Sequence, residues 1–407
     1  MGISRFMKLY GQHLPLAFEA LLSMSCTVAR LEGTLKGSNA RASQGSNARA
    51  SNGSNARASV LYVGRRKNYS YLRRTIFDDC QVVDERRTSL LSYRKHTDEM
   101  AASADVLLLD IGWPYHGRIN RAGEYLEIPD WVNMAVELPD TWEAVVRSFR
   151  QTTRNNDLRL IRRNGYRCRP TTSREVLEDF YDRFYVPFVN HKHAGDSVIA
   201  PRKHVLKRGA QGALLQVLKD EEVVAAGVVY PEGEVLFFLW MGLPPQYIDS
   251  PPEAAISALY FFGIRYAFDH DYKVVDFTGN RAFLDDGAFR FKRKWGARVE
   301  DSFSPGSILI KPTRSSRSAA RFCQRFPVLA RRGDCLEARF LFADKSASEA
   351  DLARLRKDYD CEGIDRTIVI EISEETETKS MPILDDECQY RWIKTTLDEF
   401  AECYIRD

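Results

Sequence analysis

Three apolar runs joined by two short turns constrain this chain more than any other feature: ALLQVLKD at residues 213–220, VVAAGVVY at 223–230 and EVLFFLWMG at 234–242. Glu221 and Glu222 make the first turn and Pro231 to Gly233 the second. Connections that short join only antiparallel neighbours, so the three runs read as a meander. A sheet this apolar needs a cover. The chain supplies one at once, because Ile256, Leu259, Tyr260, Gly263, Ile264 and Ala267 fall at helical spacing. Asp249-Ser250-Pro251-Pro252-Glu253 announces that helix, with Ser250 at the cap and proline in the first turn.

The helix delivers the chain to Lys273–Val299. Val274 and Val275 begin a buried strand that runs out through Asp276, Phe277, Thr278 and Gly279 into a polar turn. After Asp285-Asp286-Gly287 the pattern is helical. At about 100° per residue, Ala288, Phe291 and Trp295 share an apolar side, while Arg290, Arg293, Lys294 and Arg298 lie elsewhere. Lys292 falls at the edge of the apolar arc. A lysine there either snorkels along apolar surface or points into a pocket where an anion or a developing negative charge needs it.

At 407 residues the chain is long enough for two or three domains, and its 44% hydrophobic and 11% aromatic content is that of a globular protein. A net charge of +3 gives no global signature of nucleic-acid binding, and DNA is not expected as a partner. The eight cysteines form no CxxC pair, so neither a zinc site nor a disulfide framework is expected, and they read as reduced thiols of a cytoplasmic protein. Leu14 to Ala29 is the most apolar stretch; Glu19 interrupts it, which argues against a spanning helix and a signal peptide.

Residues 1–36 read as an N-terminal amphipathic helix, with Phe6, Tyr10, Leu14 and Phe18 near helical spacing, that docks on a domain or lies on a membrane surface. Residues 37–59 repeat GSNARAS three times and carry only alanine as an apolar residue, so they read as a solvated linker. Residues 60–137 alternate strand and helix signals: VLYVG, then a helix over Tyr69–Phe77, then QVVDE and Ala104–Gly112 as strands. The loop that follows holds Trp113, Tyr115, His116 and Arg118, which either line a site or cap a sheet. From Leu138 a helix start gives way to the most basic part of the chain, with Arg147, Arg150, Arg154, Arg159, Arg162 and Arg163. That face either holds phosphate or is the solvated side of an amphipathic helix. Ser173 caps a further aromatic-rich helix, and His191 and His193 beyond it lack a carboxylate at ligand spacing, so no metal is expected. Residues 313–407 read as a basic loop, a strand at LEARFLFA, a helix at SEADLARLRKDY, a strand at RTIVIEIS and a last helix around Gln389–Tyr404.

Residues 138–300 resemble the FemAB/CelD-like branch of the GCN5-related N-acetyltransferase (GNAT) superfamily. The resemblance rests on Arg162-Arg163-Asn164-Gly165 after the basic helix, Ala225-Ala226-Gly227 in the second meander strand and Ser250-Pro251 before the long helix. Asp276-Phe277 after the next strand and the run from Gly287 to Gly296 with Lys292 at its centre are its most specific parts.

The resemblance implies an α+β fold of tandem GNAT-like domains with mixed, mostly antiparallel sheets. Residues 60–137 would be a degenerate first copy, 138–312 the catalytic copy and 313–407 a small C-terminal α/β module. It implies N-acyl transfer from an acyl-CoA or acyl-carrier donor to an amine, such as an amino sugar or cell-envelope precursor, with acyl-CoA as co-substrate and no permanently bound cofactor. Under it Lys292 stabilises the anionic carbonyl or binds phosphate, and Asp276 or Tyr260 assists proton transfer. Trp240, Met241, Ser250 and Arg290 would contact the donor, and Arg154, Arg162, Arg163 and Asn280 the substrate.

Two departures bear on this. Pro251 and Pro252, which lack an N–H, stand where acetyl-CoA enzymes place a phosphate-cradling loop. Asn280–Asp286 is longer than the usual link between the two glycines and reads as a lid or substrate loop. An aminoacyl-tRNA dependent transferase and a non-catalytic binding module on the same fold therefore stay open, and with them tRNA and a membrane surface as partners.

Overall fold

The computed structural model describes residues 25–36, 56–89, 100–112, 119–120, 122–193, 199–302, 306–343, 347–373, 379–383 and 389–406. The aromatic loop at 113–118, most of the N-terminal helix reading, most of the GSNARAS repeat and residues 374–378 and 384–388 lie outside the described residues.

In chain order the strands are β1 (Ser25–Leu35), β2 (Arg57–Gly64), β3 (Phe77–Ser89), β4 (Val106–Gly112), β5 (Leu126–Pro129), β6 (Val132–Glu137), β7 (Arg167–Thr171), β8 (Ala213–Lys219), β9 (Glu222–Glu232), β10 (Val235–Gly242), β11 (Val274–Asn280), β12 (Arg298–Asp301), β13 (Gly306–Pro312), β14 (Val328–Arg332), β15 (Cys335–Phe342), β16 (Arg366–Ile372), β17 (Lys379–Ile383) and β18 (Gln389–Thr395). The helices used below are α1 (Arg66–Ile76), α2 (Trp142–Ser148), α3 (Leu158–Arg163), α4 (Arg174–Asp179), α5 (Val186–His193), α6 (Arg202–Gln211), α7 (Ala255–Asp269), α8 (Gly287–Arg293), α9 (Arg317–Arg325), α10 (Glu349–Tyr359) and α11 (Phe400–Arg406). The architecture is mixed α+β with mostly antiparallel sheets.

Two compact units divide the chain: Met1–Val132, Arg281–Phe289 and Asp301–Asp407 form the first, Asn133–Asn280 and Arg290–Glu300 the second. This departs from the contiguous domains read from the sequence. β13, placed by the sequence in the catalytic domain, completes the first unit's sheet between β4 and β5, in the order β3-β1-β2-β4-β13-β5. β6, placed in the first domain, belongs to the second unit's sheet, β12-β6-β11-β10-β9-β8-β7. Residues 313–407 supply a third sheet, β14-β15-β16-β18-β17, that falls within the first unit.

Other expectations change in detail. Residues 25–35 are a strand and not helix; β1 pairs antiparallel with β2, and Leu35 N–H donates to Ala56 O at 2.8 Å. The last repeat's Arg57, Ala58 and Ser59 are part of β2. The segment read as a basic loop is helix α9, because Ser316 Oγ caps it by accepting from Ala319 N at 3.1 Å and its buried residues Ala319, Ala320, Phe322 and Cys323 share one face. Gln389–Thr395 is strand, paired parallel with β16, which leaves only Phe400–Arg406 of the expected last helix.

A buried polar knot ties the first unit. Arg65 Nε donates to Asp110 Oδ1 at 3.0 Å and its Nη2 to Asp130 Oδ2 at 2.8 Å. Arg281 pairs with Asp130 and donates to Asn68 Oδ1 at 2.6 Å, with its guanidinium 4.2 Å from the Trp131 ring centre and 4.8 Å from that of Tyr71. Burial pushes the Asp130 carboxyl up, but the Arg281 and Arg65 guanidiniums override it and hold the group below its ordinary range. The next residues are pinned as well. Phe283 bridges Val328, Leu329 N–H donates to Ala282 O at 2.9 Å, and Leu284 N–H to Pro327 O at 3.0 Å. Ala282, Phe283 and Leu284 are buried, so the stretch read as a lid is a built part of the first unit.

Candidate functional site

The second unit's meander forms as expected: β8, β9 and β10 pair antiparallel in sequence, and α7 buries Leu259, Tyr260, Gly263, Ile264 and Ala267. Its start differs from the sequence reading. Ser250 is exposed and caps nothing; the cap residue is Ala254, left-handed at φ 64°, and the helix begins at Ala255.

The feature that makes a site is the seam between β10 and β11. They run parallel and are in register only at Val235–Val274, Leu236–Val275 and Phe237–Asp276. Both strands continue, to Gly242 and to Asn280, without further pairing to each other. A bulge between Phe238 and Trp240 shifts β10's register against β9 at the same level. Beyond Phe237 the strand therefore has a side unpaired by β11, and Trp240 and Met241 lie on that part. Gly242 at its end is required by contact: a Cβ there would stand 2.6 Å from the Phe184 carbonyl carbon and 2.7 Å from Tyr185 N.

Aromatic rings fill the floor. Tyr260 lies 5.1 Å from Phe238, 4.9 Å from Phe277 and 4.9 Å from Phe291 between ring centres. Tyr260 is buried, and that burial pushes its hydroxyl up from its ordinary range.

The end of β11 is strained and clamped. Thr278 is left-handed at φ 63°, a conformation that costs a non-glycine residue on the order of 1 kcal/mol or more. Asp276 Oδ1 accepts the Thr278 N–H at 2.7 Å, and its Oδ2 accepts from Asn133 Nδ2 at 3.1 Å. Buried Lys292 donates to the carbonyls of Thr278 at 3.4 Å and Gly279 at 3.3 Å. The lysine at the edge of the apolar arc thus sets its ammonium on backbone at the strand end. Asn280 is buried beside Met134, its Nδ2 3.2 Å from Sδ.

The other expected residues do not converge on the seam as a set. Arg154 Nη1 donates to Arg147 O at 2.8 Å, Arg163 pairs with Glu253, and Arg162 and Arg290 are exposed. Trp240 packs on Tyr185, with ring centres 6.5 Å apart.

Sequence reasoning missed a second polar cluster. Ser257, in the first turn of α7 and 5% exposed, donates to Asp157 Oδ1 at 2.6 Å. Lys294 Nζ lies 2.7 Å from the same oxygen and 3.3 Å from Ser257 Oγ, and 4.3 Å from the Phe291 ring centre. Asp157 ends a π-helical turn, Thr153–Asp157, which widens the helix before α3. Thr153 Oγ1 donates to Lys294 O at 2.9 Å, fixing the turn to the chain after α8. The three residues are separated by 37 to 137 positions, so no local pattern announces them.

No family model matches the chain, and no curated protein matches it. Among solved structures, FemX is similar at 12% identity over 62% of this chain and 80% of that one, with a TM-score of 0.34. L-PGS from Bacillus licheniformis is similar at 12% identity over 62% and 76%, with a TM-score of 0.31. A GCN5-related N-acetyltransferase from Sphaerobacter thermophilus is similar at 12% identity over 63% and 73%, also at 0.31. The second unit's own geometry is a mixed α+β one of the kind that the resemblance of residues 138–300 implies: a meander, a covering helix, a parallel strand that parts from its neighbour and a bulge at the parting.

Proposed function

We propose that the second unit is an N-acyltransferase that moves an acyl group from a thioester or ester donor to an amine on a small molecule or cell-envelope precursor. The observation that carries this reading is the parting of β10 from β11 after three register pairs. It leaves backbone groups of β10 available to the donor carbonyl, and groups fixed in advance stabilise a developing oxyanion without reorganising. The amine nitrogen attacks the carbonyl carbon, the thiol or alcohol departs, and the proton lost by the amine balances the leaving group. Asp276 and Lys292 act as positioning residues, because they hold the β11 side of the opening. Ser257 at the start of α7, Lys294 just after α8, and the Asp157 carboxylate that both contact, are assigned to the acceptor's proton.

One observation favours an ester donor over coenzyme A. The approach to α7 carries Pro251 and Pro252, a left-handed Ala254 and the carboxylate of Glu253, which is a poor cradle for a pyrophosphate. Aminoacyl-tRNA is the donor of that second reading. A thermal-shift series with acyl-CoAs, charged tRNA and nucleotide sugars separates the two. Stabilisation by an acyl-CoA supports the thioester, and salt-dependent stabilisation by charged tRNA supports the ester. No shift with any of them and no transfer to an amine overturns the enzyme reading in favour of a binding module.

A further inference from the structure

The first unit's sheet ends on β3, thirteen residues long, which pairs with β1 and with no other strand among the described residues. Long exposed edges either pair with another strand or are blunted against it. Val82 and Val83, 37% and 43% exposed, stand at the middle of this edge. Asp78 and Asp79 precede them and Arg86 and Arg87 follow, all exposed.

The register against β1 decides which side chains share a face. Arg30 faces Asp84 and Leu31 faces Val82, so Val83 is an extra residue, a bulge. Asp79 lies across from Thr34 and Arg86 across from Val28. Thr34 and Val28 are an even number of positions apart on β1, so Asp79 and Arg86 stand on one face; without the bulge they would stand on opposite faces.

We propose that β3 is a self-association edge, on which a second copy of this chain pairs antiparallel through its own β3 about a twofold axis between Val82 and Val83. A twofold perpendicular to the sheet keeps every side chain on its own face, so residues placed opposite must share one. In this register Asp79 stands opposite Arg86 of the second copy, and Asp78, the extra residue of a second irregularity between Thr34 and Leu35, lies next to it toward Arg87; symmetry repeats both. Slipping the pairing by two residues in one direction sets Asp79 against Asp84 and Asp78 against Glu85; slipping it the other way leaves no acid opposite a base. Charge therefore selects the register centred on the two valines. Within the chain Arg86 reaches its neighbour Asp84, at 2.8 Å and with 57% of its side chain exposed, and Arg73 Nη2 donates to the Cys80 carbonyl at 3.3 Å, a contact the incoming strand displaces.

Sedimentation equilibrium of the full chain, from about 1 to 100 µM, tests this. The wild type is expected to dimerise. Asp78→Arg with Asp79→Arg, and separately Arg86→Asp with Arg87→Asp, each weaken self-association by at least about tenfold, and mixing the two variants restores a heterodimer. A monomeric wild type overturns the proposal and makes β3 a blunted edge; a dimer indifferent to both reversals overturns it in favour of another surface. If circular dichroism shows that a reversal unfolds the chain, a salt series on the wild type takes its place: a dissociation constant that rises with salt supports the edge, and one that does not move sinks it.

Discussion

Asp276 and Lys292 close on one residue from two sides: the carboxylate takes the Thr278 N–H at 2.7 Å, and the ammonium lies 3.4 Å from the Thr278 carbonyl. Thr278 is the left-handed residue at the end of β11, where the strand has already parted from β10. The two side chains named from the sequence as an oxyanion donor and a proton carrier thus meet, but on the backbone. Their joint effect is to fix one edge of the opening.

Replacing Lys292 by methionine keeps the stem and removes the ammonium. We expect a stability loss of about 1–3 kcal/mol, since two carbonyls lose a charged donor in a buried place, together with loss of transfer activity. Urea unfolding beside a transfer assay checks it. Unchanged stability with activity lost would return Lys292 to direct contact with the reacting group.

Thr278→Gly relieves the left-handed backbone and should be neutral or stabilising by up to about 1 kcal/mol. Gly242→Ala goes the other way. Its Cβ would meet backbone 2.6 Å away, so a loss of at least about 1–3 kcal/mol is expected. Paired thermal melts of the two variants give opposite signs if the seam is built as described.

Ser257→Ala leaves the Lys294–Asp157 pair standing, whereas Lys294→Ala leaves Asp157 with only the Ser257 hydroxyl among its contacts described above. A double-mutant cycle should show coupling of about 0.5–3 kcal/mol between them. In transfer assays Ser257→Ala should lower kcat more than it raises KM. Additive effects and normal turnover would reduce the cluster to a packing device.

Acid should loosen the first unit through Asp130. Its carboxyl is held below the ordinary range in the folded chain by Arg281 and Arg65, so the unfolded state binds the proton first. The stability this gives is complete above the unfolded value near 3.8 and is lost as pH falls further, through the folded value. Denaturant unfolding of wild type and Asp130→Asn between about pH 3 and 7 should show the wild type losing its advantage at the acid end. Parallel curves would refute the linkage.

Much of the second unit was legible in the sequence because its signals are local. Turns at 220–221 and 233–234, close to those read at 221–222 and 231–233, separate the meander strands, and the spacing from Ile256 to Ala267 fixes one helix face. The first unit was less legible because its sheet is assembled from distant pieces. β13 enters it from residues 306–312, and Arg281 reaches Asp130 across 151 positions. Lys292 stands out on a helical wheel, yet its partners could not be read there, because a wheel gives an angle and not the backbone that faces it. Gln389–Thr395 was read as the start of the last helix, although Tyr390, Trp392, Ile393 and Thr395 favour strand; the parallel ladder to β16 follows that preference.

The first two GSNARAS copies and the start of the third stand between two strands that are neighbours in one sheet, with Thr34 facing Arg57 of the third copy across the join. Both ends of the segment are therefore fixed to each other by the ladder itself, and the cost of joining them grows only with the logarithm of the length between, about 0.6 kcal/mol for each doubling. Tandem copies are gained and lost by slippage when a gene is replicated. Here such a change would alter the number of residues between β1 and β2 while leaving every strand partner in place, so variants with one copy fewer or more should fold with nearly the same stability.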